Sequence, residues 1–477
     1  MDTPAGPVKL RMLVGAEWRT GVAETPVKDP YRGDVVSLVP ESSLKDLDDA
    51  LAAALSAKPK VAAMPAYQRA ALLRKVGMLL AERADAIAEV MTRETGKAIR
   101  DARAEVTRSQ DTILLSAEEA IRIEGEQVPL DGTAMGAGKL AFLLRFPVGV
   151  VAAITPFNAP FNLACHKIAP AIAAGNSIVL KAPPQAPGVV TKLVELFHEA
   201  GTPPGFVNLL YGNIVGPALV RDPRVDFVSF TGSSRVGAQI KAASGLRRVA
   251  LELGGNGTTI VHSDADVAEA ATLCARNSMR LAGQSCISVQ NVIVHESVYD
   301  TFVERLVAEV KTLRVGDPLD PATDVGTLID ENAAKRVEQW VVEAVSQGAR
   351  LLTGGSRRAA QYEPAVLVDV KPEMRVVCEE VFGPVVTIQR YTELRPVFER
   401  ISADQYGLHC GLFTKSMPVV FDAIRSLRVG GLIVNGTSTW RTDQLAYGGV
   451  KSSGIGREGP RYAIRDMTEE RLVLFNL

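Results

Sequence analysis

The feature that most constrains the fold is an alternation that begins at Val148. From there to Leu253, short β-rich runs (GVVAAIT, NSIVLK, FVNLLYG, VDFVSFTG, RVALELGG) are separated by amphipathic helical segments. Strands that are apolar almost throughout are buried on both faces, which predicts a parallel sheet covered by helices on either side. Such sheets bind ligands at the carboxyl ends of their strands. From about Gly257 to Asn435 the alternation restarts with TTIV, a helix from about Asp264 and ISVQNVIV, and ends at GGLIVN. Two successive α/β regions predict two domains with a cleft between them, a usual place for a small-molecule site.

The amino-terminal part reads as helical. SLKDLDDALAAALSA places Leu44, Leu47, Leu51 and Leu55 at helical spacing behind Ser43 as N-cap. A longer helical region runs from about Tyr67 to Ile123, with a break at ETGKA. The tail, TEERLVLFNL, alternates weakly as a strand. Its expected partner is the stretch Phe142-Leu143-Leu144-Arg145-Phe146 or another subunit, and the need to cover a terminal strand favours an oligomer.

Composition excludes several classes. Lys+Arg 53 against Asp+Glu 54 leaves a net charge of −1, which gives no electrostatic reason to expect nucleic acid or an anionic membrane. The longest apolar candidate, LACHKIAPAIAAGNSIVL, is interrupted by His166, Lys167, Pro170 and Asn176, so no membrane span is expected. The amino terminus lacks the pattern of a signal peptide. Five scattered cysteines without a CxxC argue against a disulfide framework or a metal site. The expectation is a cytoplasmic α/β enzyme.

Several short stretches can carry chemistry. In VSFTGSSRVGAQI a strand passes through Thr231-Gly232-Ser233 into a helix, whose free N–H groups suit a phosphate or mark an ordinary cap. Lys181 in LKAPPQAP follows a buried strand and can reach a ribose or phosphate, or simply be solvated. Glu252 in RVALELGGNG ends an apolar strand; partial desolvation there would suit a general base, while an edge strand would turn it to solvent. Asn158 in ITPFNAPFNL can donate to an oxyanion or cap the next helix. Cys286 in LAGQSCISVQ is a nucleophile or a buried space-filler. None of the five histidines sits in a hydrolase motif beside it.

Together and in this order, PFN with Asn158, LKAPP with Lys181, FTGSSRVG, LELGG with Glu252, GQSC with Cys286, EEVFGPVV and YGGVKSSGIGREG resemble the aldehyde dehydrogenase superfamily. The resemblance runs from GAEW to the final strand. It implies a Rossmann-type NAD(P)-binding domain over residues 1–121 and 147–255, a catalytic domain over 256–445, and oligomerisation strands over 122–146 and 462–477, in a homodimer or homotetramer. It implies that Cys286 attacks the aldehyde, Asn158 holds the oxyanion, and Glu252 activates water to release the acid. NAD or NADP would lie along Lys181, Pro184, Gly212, Gly216, Thr231, Gly232, Ser233, Glu380 and Phe382. Pro184 stands where many NAD-preferring members carry a carboxylate, which leaves NADP open.

The substrate tunnel departs from members that act on simple aliphatic aldehydes. The resemblance places Arg108, His166, Arg280, Arg441 and Tyr447 along it. Arginine forks suit carboxylate and phosphate-like oxygens, so the expected substrate is a small anionic aldehyde. The pattern looks closest to phosphonoacetaldehyde and non-phosphorylating glyceraldehyde-3-phosphate dehydrogenases, with a doubly charged tail favoured over succinic semialdehyde or sulfoacetaldehyde-type substrates. The alternative for each arginine is a salt bridge to local acids, Glu105 and Asp111 in the case of Arg108.

Overall fold

Two parallel sheets dominate the computed structural model, which describes residues 6–21 and 23–477. The first sheet has eight strands. Its centre runs Arg248–Glu252, Phe227–Thr231, Val150–Ile154, Ser177–Lys181 and Val207–Leu210, all parallel. The chain winds from Val150–Ile154 outward to Val207–Leu210, then returns to lay Phe227–Thr231 on the other side of the starting strand. The sheet's switch point therefore lies where Ile154 and Thr231 end, and connections leaving in opposite directions open a crevice there. These strands are buried because each is apolar on both faces, and helices Pro160–Ala174 and Pro187–Glu199 pack against them.

The second sheet has seven strands in the order Arg350–Thr353, Ala365–Val368, Val385–Tyr391, Asn291–His295, Thr258–Val261, His409–Phe413 and Gly431–Val434. Only the first of these is antiparallel. The run expected as ISVQNVIV forms a strand only from Asn291; the residues before it belong to the loop that carries Cys286.

The amino-terminal expectation needs correcting. Five short strands between Val8 and Pro40 precede the first helix, Leu44–Ala63. They are two to six residues long and hold their shape by pairing, so no local periodicity announces them. Ser43 does cap the helix, in a capping box with Asp46. Of the four leucines at helical spacing, Leu47 and Leu51 are buried while Leu44 and Leu55 are exposed. The longer helical region divides into Ala66–Glu82, Ala84–Thr95 and Ile99–Ala120, the last break falling at Gly96 with φ 70°.

The tail strand Thr468–Asn476 pairs antiparallel with Lys139–Pro147 of the same chain, and Glu126–Val128 completes this small sheet. Gly454-Ile455 pairs with the end of Arg248–Glu252, so the carboxy-terminal region also closes one edge of the first sheet. Among the described residues no helix is long and apolar enough to cross a membrane.

Candidate active site

Cys286 stands in the loop between helix Val267–Met279 and strand Asn291–His295. Immediately before it, Leu281, Ala282 and Gly283 are all left-handed, with φ of 56°, 51° and 69°. For the two non-glycine residues this costs about 1–2 kcal/mol each. Gln284 secures the turn: its Oε1 accepts from Ile329 N at 2.9 Å, and its Nε2 donates to the Leu281 and Thr327 carbonyls at 3.3 and 3.4 Å. The Cys286 loop lies directly on Gly255, where a Cβ would strike the Cys286 carbonyl. The two glycines after Glu252 thus let the first sheet's exit meet the nucleophile-bearing loop.

Cys286 is partly exposed, whereas Cys165, Cys274 and Cys410 are buried. Desolvation pushes its thiol up to about 12, against the hydrogen bond to Tyr447, which pulls it down. The Tyr447 hydroxyl lies 3.0 Å from Sγ.

Glu252 ends its strand between Thr231 and Gly454, and does not turn to solvent. It is buried, and neither carboxylate oxygen has a hydrogen-bond partner among the described residues. Burial and the neighbouring Glu458 carboxylate raise its pKa well above the ordinary range, opposed by Arg441 and Lys167. Asn158 follows strand Val150–Ile154 and is partly buried. It does not cap helix Pro160–Ala174; Glu105 Oε1 takes the Phe161 and Asn162 N–H groups at 3.0 and 3.1 Å.

At the switch point of the first sheet opens a cavity of about 970 Å³, whose lining includes Thr155, Phe157, Lys181, Gly216, Thr231 and Gly232. Lys181 is buried at the end of its strand and makes no ion pair among the described residues; desolvation lowers its pKa to about 8, with Glu41 acting the other way. Ser233 is the N-cap of helix Ser234–Ala243. Pro184 is exposed, and neither it nor Gly212 and Ser233 is part of this lining. Phe157 connects the cavity to Phe382, whose ring meets it edge-on at 5.9 Å. Beyond it, Glu380 is held by Gly255 N at 2.9 Å, and burial lifts its pKa to about 7 against that bond and Arg336.

The tunnel arginines are paired, but not with the acids expected. Arg108 binds Asp443, 335 residues away, through Nε at 3.1 Å and Nη2 at 2.6 Å. Asp111 takes no part, and Glu105 pairs instead with buried Lys97. Arg280 donates to Asp101 at 3.1 Å and its side chain is 53% exposed. Arg441 is buried and reaches Glu458 at 2.9 Å. The three guanidiniums therefore do not converge bare on one point; each stands beside its own carboxylate.

His166 Nε2 lies 3.0 Å from Asp443 Oδ1 and 3.1 Å from Arg441 Nη2. Burial lowers its pKa, with Asp443 and Glu458 acting the other way, and beside a carboxylate that only accepts, the proton on Nε2 serves Asp443. The Arg441 approach is then a contact and not a second hydrogen bond. Burial works against ionisation of Asp443, yet His166 and Arg108 more than offset it and hold its pKa well below the usual carboxylate range.

The sequence reading missed the residues that complete this network. Lys167 donates to Thr231 Oγ1 at 2.7 Å and faces Glu458 at 3.6 Å. One signal existed: a lysine in the otherwise apolar LACHKIAPAIAA demands a buried partner.

A partly exposed cysteine thus lies against the glycines that follow the buried Glu252, and Thr231, paired with Glu252 in the sheet, lines the switch-point cavity. The aldehyde dehydrogenase family matches residues 18–473. The chain belongs to the aldehyde dehydrogenase family. A 3-sulfolactaldehyde dehydrogenase of Priestia aryabhattai is 44% identical over 468 residues, 98% of each chain. The aldehyde dehydrogenase 21 of Physcomitrella patens, solved in complex with the reaction product succinate, superposes with a TM-score of 0.96 at 40% identity over 99% of both chains. A glyceraldehyde-3-phosphate dehydrogenase of Methanocaldococcus jannaschii complexed with NADP gives 0.92 at 37% identity, covering 95% of this chain and 99% of that one. This aldehyde dehydrogenase accordingly oxidises small aldehydes with NAD or NADP.

Proposed function

We propose that the substrate is a two- or three-carbon aldehyde with a singly charged tail, a sulfonate in first place, and that the product is the free carboxylic acid. The observation that carries this reading is how the arginines are held. Arg108 and Arg280 line a pocket of about 110 Å³ together with Asn162, Asn277 and Thr439. Arg108 leaves Nη1, and Arg280 leaves Nη1 and Nη2, without a hydrogen bond among the described residues. Each guanidinium is oriented by one carboxylate and keeps donors for another anion. Because Asp443 and Asp101 already offset much of that charge, a monoanion suits the pocket better than the doubly charged phosphonate expected from sequence. The sulfonate relative supports this, and Asn162 Nδ2 and Asn277 Oδ1, which make no hydrogen bond among the described residues, suit a hydroxyl on the substrate carbon chain. A carboxylate tail, as in succinic semialdehyde, is the second reading, favoured by the structural relative that holds succinate.

The roles proposed for the residues are these. Cys286 attacks the carbonyl carbon and forms a thiohemiacetal, while the Asn158 amide and the Cys286 backbone N–H hold the oxyanion. Lys181 and the amino terminus of helix Ser234–Ala243 hold the adenosine and phosphate end of the dinucleotide, and Glu380 and Phe382 the nicotinamide end. The buried lysine without an ion pair and the cavity at the switch point fit that group. Bound NAD or NADP supplies the hydride acceptor. The oxidised acyl group stays on Cys286 as a thioester. Glu252 then draws a proton from water, whose oxygen attacks the thioester; its raised pKa makes it the stronger base. The first sheet with its helices forms the cofactor domain and the second the catalytic domain. The uncovered outer edge of Thr468–Asn476, with Leu472, Leu474 and Phe475 exposed, pairs with another copy in a homo-oligomer.

Two results check this. With 3-sulfolactaldehyde, sulfoacetaldehyde, phosphonoacetaldehyde, succinic semialdehyde and propionaldehyde compared side by side, the sulfonates should give the highest kcat/KM. Arg280→Ala should lower that value for the sulfonates by about 10–100-fold, the worth of a charge-assisted hydrogen bond, and spare propionaldehyde. Equal rates with propionaldehyde would end the anionic reading and leave the family activity intact. Separately, Glu252→Gln should release one equivalent of reduced cofactor in a burst and then turn over about 10²–10⁴-fold more slowly. Undiminished steady turnover would remove Glu252 from thioester hydrolysis.

A further inference from the structure

The resemblance places Tyr447 along the substrate tunnel. Its geometry points to a more direct part. Mutual backbone hydrogen bonds with Glu458, Tyr447 N to Glu458 O at 3.1 Å and Glu458 N to Tyr447 O at 2.6 Å, fix its main chain. The ring is buried between two side chains. The Arg441 guanidinium carbon lies 3.6 Å from its centroid, and the His409 ring meets it edge-on at 5.0 Å. So clamped, the ring directs its hydroxyl to Cys286 Sγ at 3.0 Å, the only hydrogen bond of that sulfur among the described residues.

We propose that the Tyr447 hydroxyl is a catalytic hydrogen-bond donor to the Cys286 thiolate, an inference that rests on Cys286 being the nucleophile. The charged groups around the sulfur show why a donor is needed. Glu380 and Glu252 both disfavour a thiolate, and Arg441 favours it. Arg441 is itself committed to Glu458 and lies over the ring. A cation on the face of a phenol draws density from the ring and makes its O–H a better donor. Tyr447 keeps its proton throughout: burial and the Cys286 charge both oppose a phenolate.

The step balances simply. The thiol loses its proton to solvent through the partly exposed mouth of the site, and Tyr447 donates to the thiolate so formed. The sulfur lone pair then makes the S–C bond as the carbonyl π pair moves to oxygen. Neutral sulfur in the thiohemiacetal is a weak acceptor, so the phenol's hydrogen bond is spent where it holds the charge before attack.

The test is the pH dependence of iodoacetamide alkylation at Cys286, followed by peptide mapping in the full-length protein. Tyr447→Phe should move the profile up by about one to two pH units and slow alkylation at neutral pH by about 10–100-fold, the loss of one charge-assisted bond. kcat/KM should fall in parallel for sulfonate aldehydes and for propionaldehyde. A profile that overlays the wild type, with kcat/KM lowered for one aldehyde class only, would make Tyr447 a tunnel wall and overturn the proposal. Should Tyr447→Phe not fold, 3-fluorotyrosine at position 447 decides. The better donor should shift the profile to lower pH, and no shift would overturn the proposal. Cys286→Ala separates the two readings, since aldehyde oxidation surviving that change would instead refute the nucleophile.

Discussion

Replacing Cys286 with alanine is expected to lower aldehyde oxidation by about 10⁴-fold or more, the scale on which covalent catalysis fails when its nucleophile is removed. The fold should scarcely notice. Cys286 is partly exposed, its sulfur makes one hydrogen bond, and the turn before it is held by Gln284. A stability change within about 1 kcal/mol is expected for such a site. No other thiol can substitute. Cys165, Cys274 and Cys410 are buried, and burial pushes all three thiols up. Cys378 is partly exposed, but burial and the adjacent Glu379 carboxylate raise its pKa. Reduced-cofactor formation and thermal unfolding, measured on the same preparation, check both halves. Residual activity within about tenfold of wild type would place the chemistry elsewhere.

How legible this site was depended on whether a residue's partner lies near it in sequence. The five central strands of the first sheet were plain because each is an unbroken apolar run. The short strands before Pro40 were not, since a two-residue strand such as Val8–Lys9 exists only through its pairing with Val35–Pro40. Cys286, Glu252 and Lys181 stood out because each polar residue sits at the edge of an apolar run. Asp443 and Glu458 lie in loop sequence that looks solvated, and only the tertiary fold shows that they are buried against Arg108, His166, Lys167 and Arg441. The expectation of charge −2 in the substrate loses support for the same reason. Positive charge was visible in the sequence, but the carboxylates beside it come from 179 and 335 residues away.

Those carboxylates make the second large effect. Glu458→Ala should destabilise the protein by about 3–5 kcal/mol, the range for removing one partner of a buried ion pair. The loss would leave Arg441 and Lys167 buried with no carboxylate of the described residues within salt-bridge distance except Asp443, which is 3.9 Å from Arg441 Nε. Asp443 is already bound by Arg108 and His166, so it cannot take over both charges. Acid should mimic the substitution. Burial opposes ionisation of Glu458, but His166, Lys167 and Arg441 outweigh it and hold its pKa down at about 2. A carboxylate whose folded pKa lies below its unfolded value contributes stability above the unfolded pKa, near 4.5, and loses it as pH falls toward the folded one. The wild type should therefore lose stability between about pH 4.5 and 2, and Glu458→Ala should lose less over that window because its share is already gone. Denaturant titrations across the range read the difference directly. If the two curves stay parallel down to low pH, the ion pair does not stabilise the folded state, and the buried cations are held by the surrounding dipoles instead.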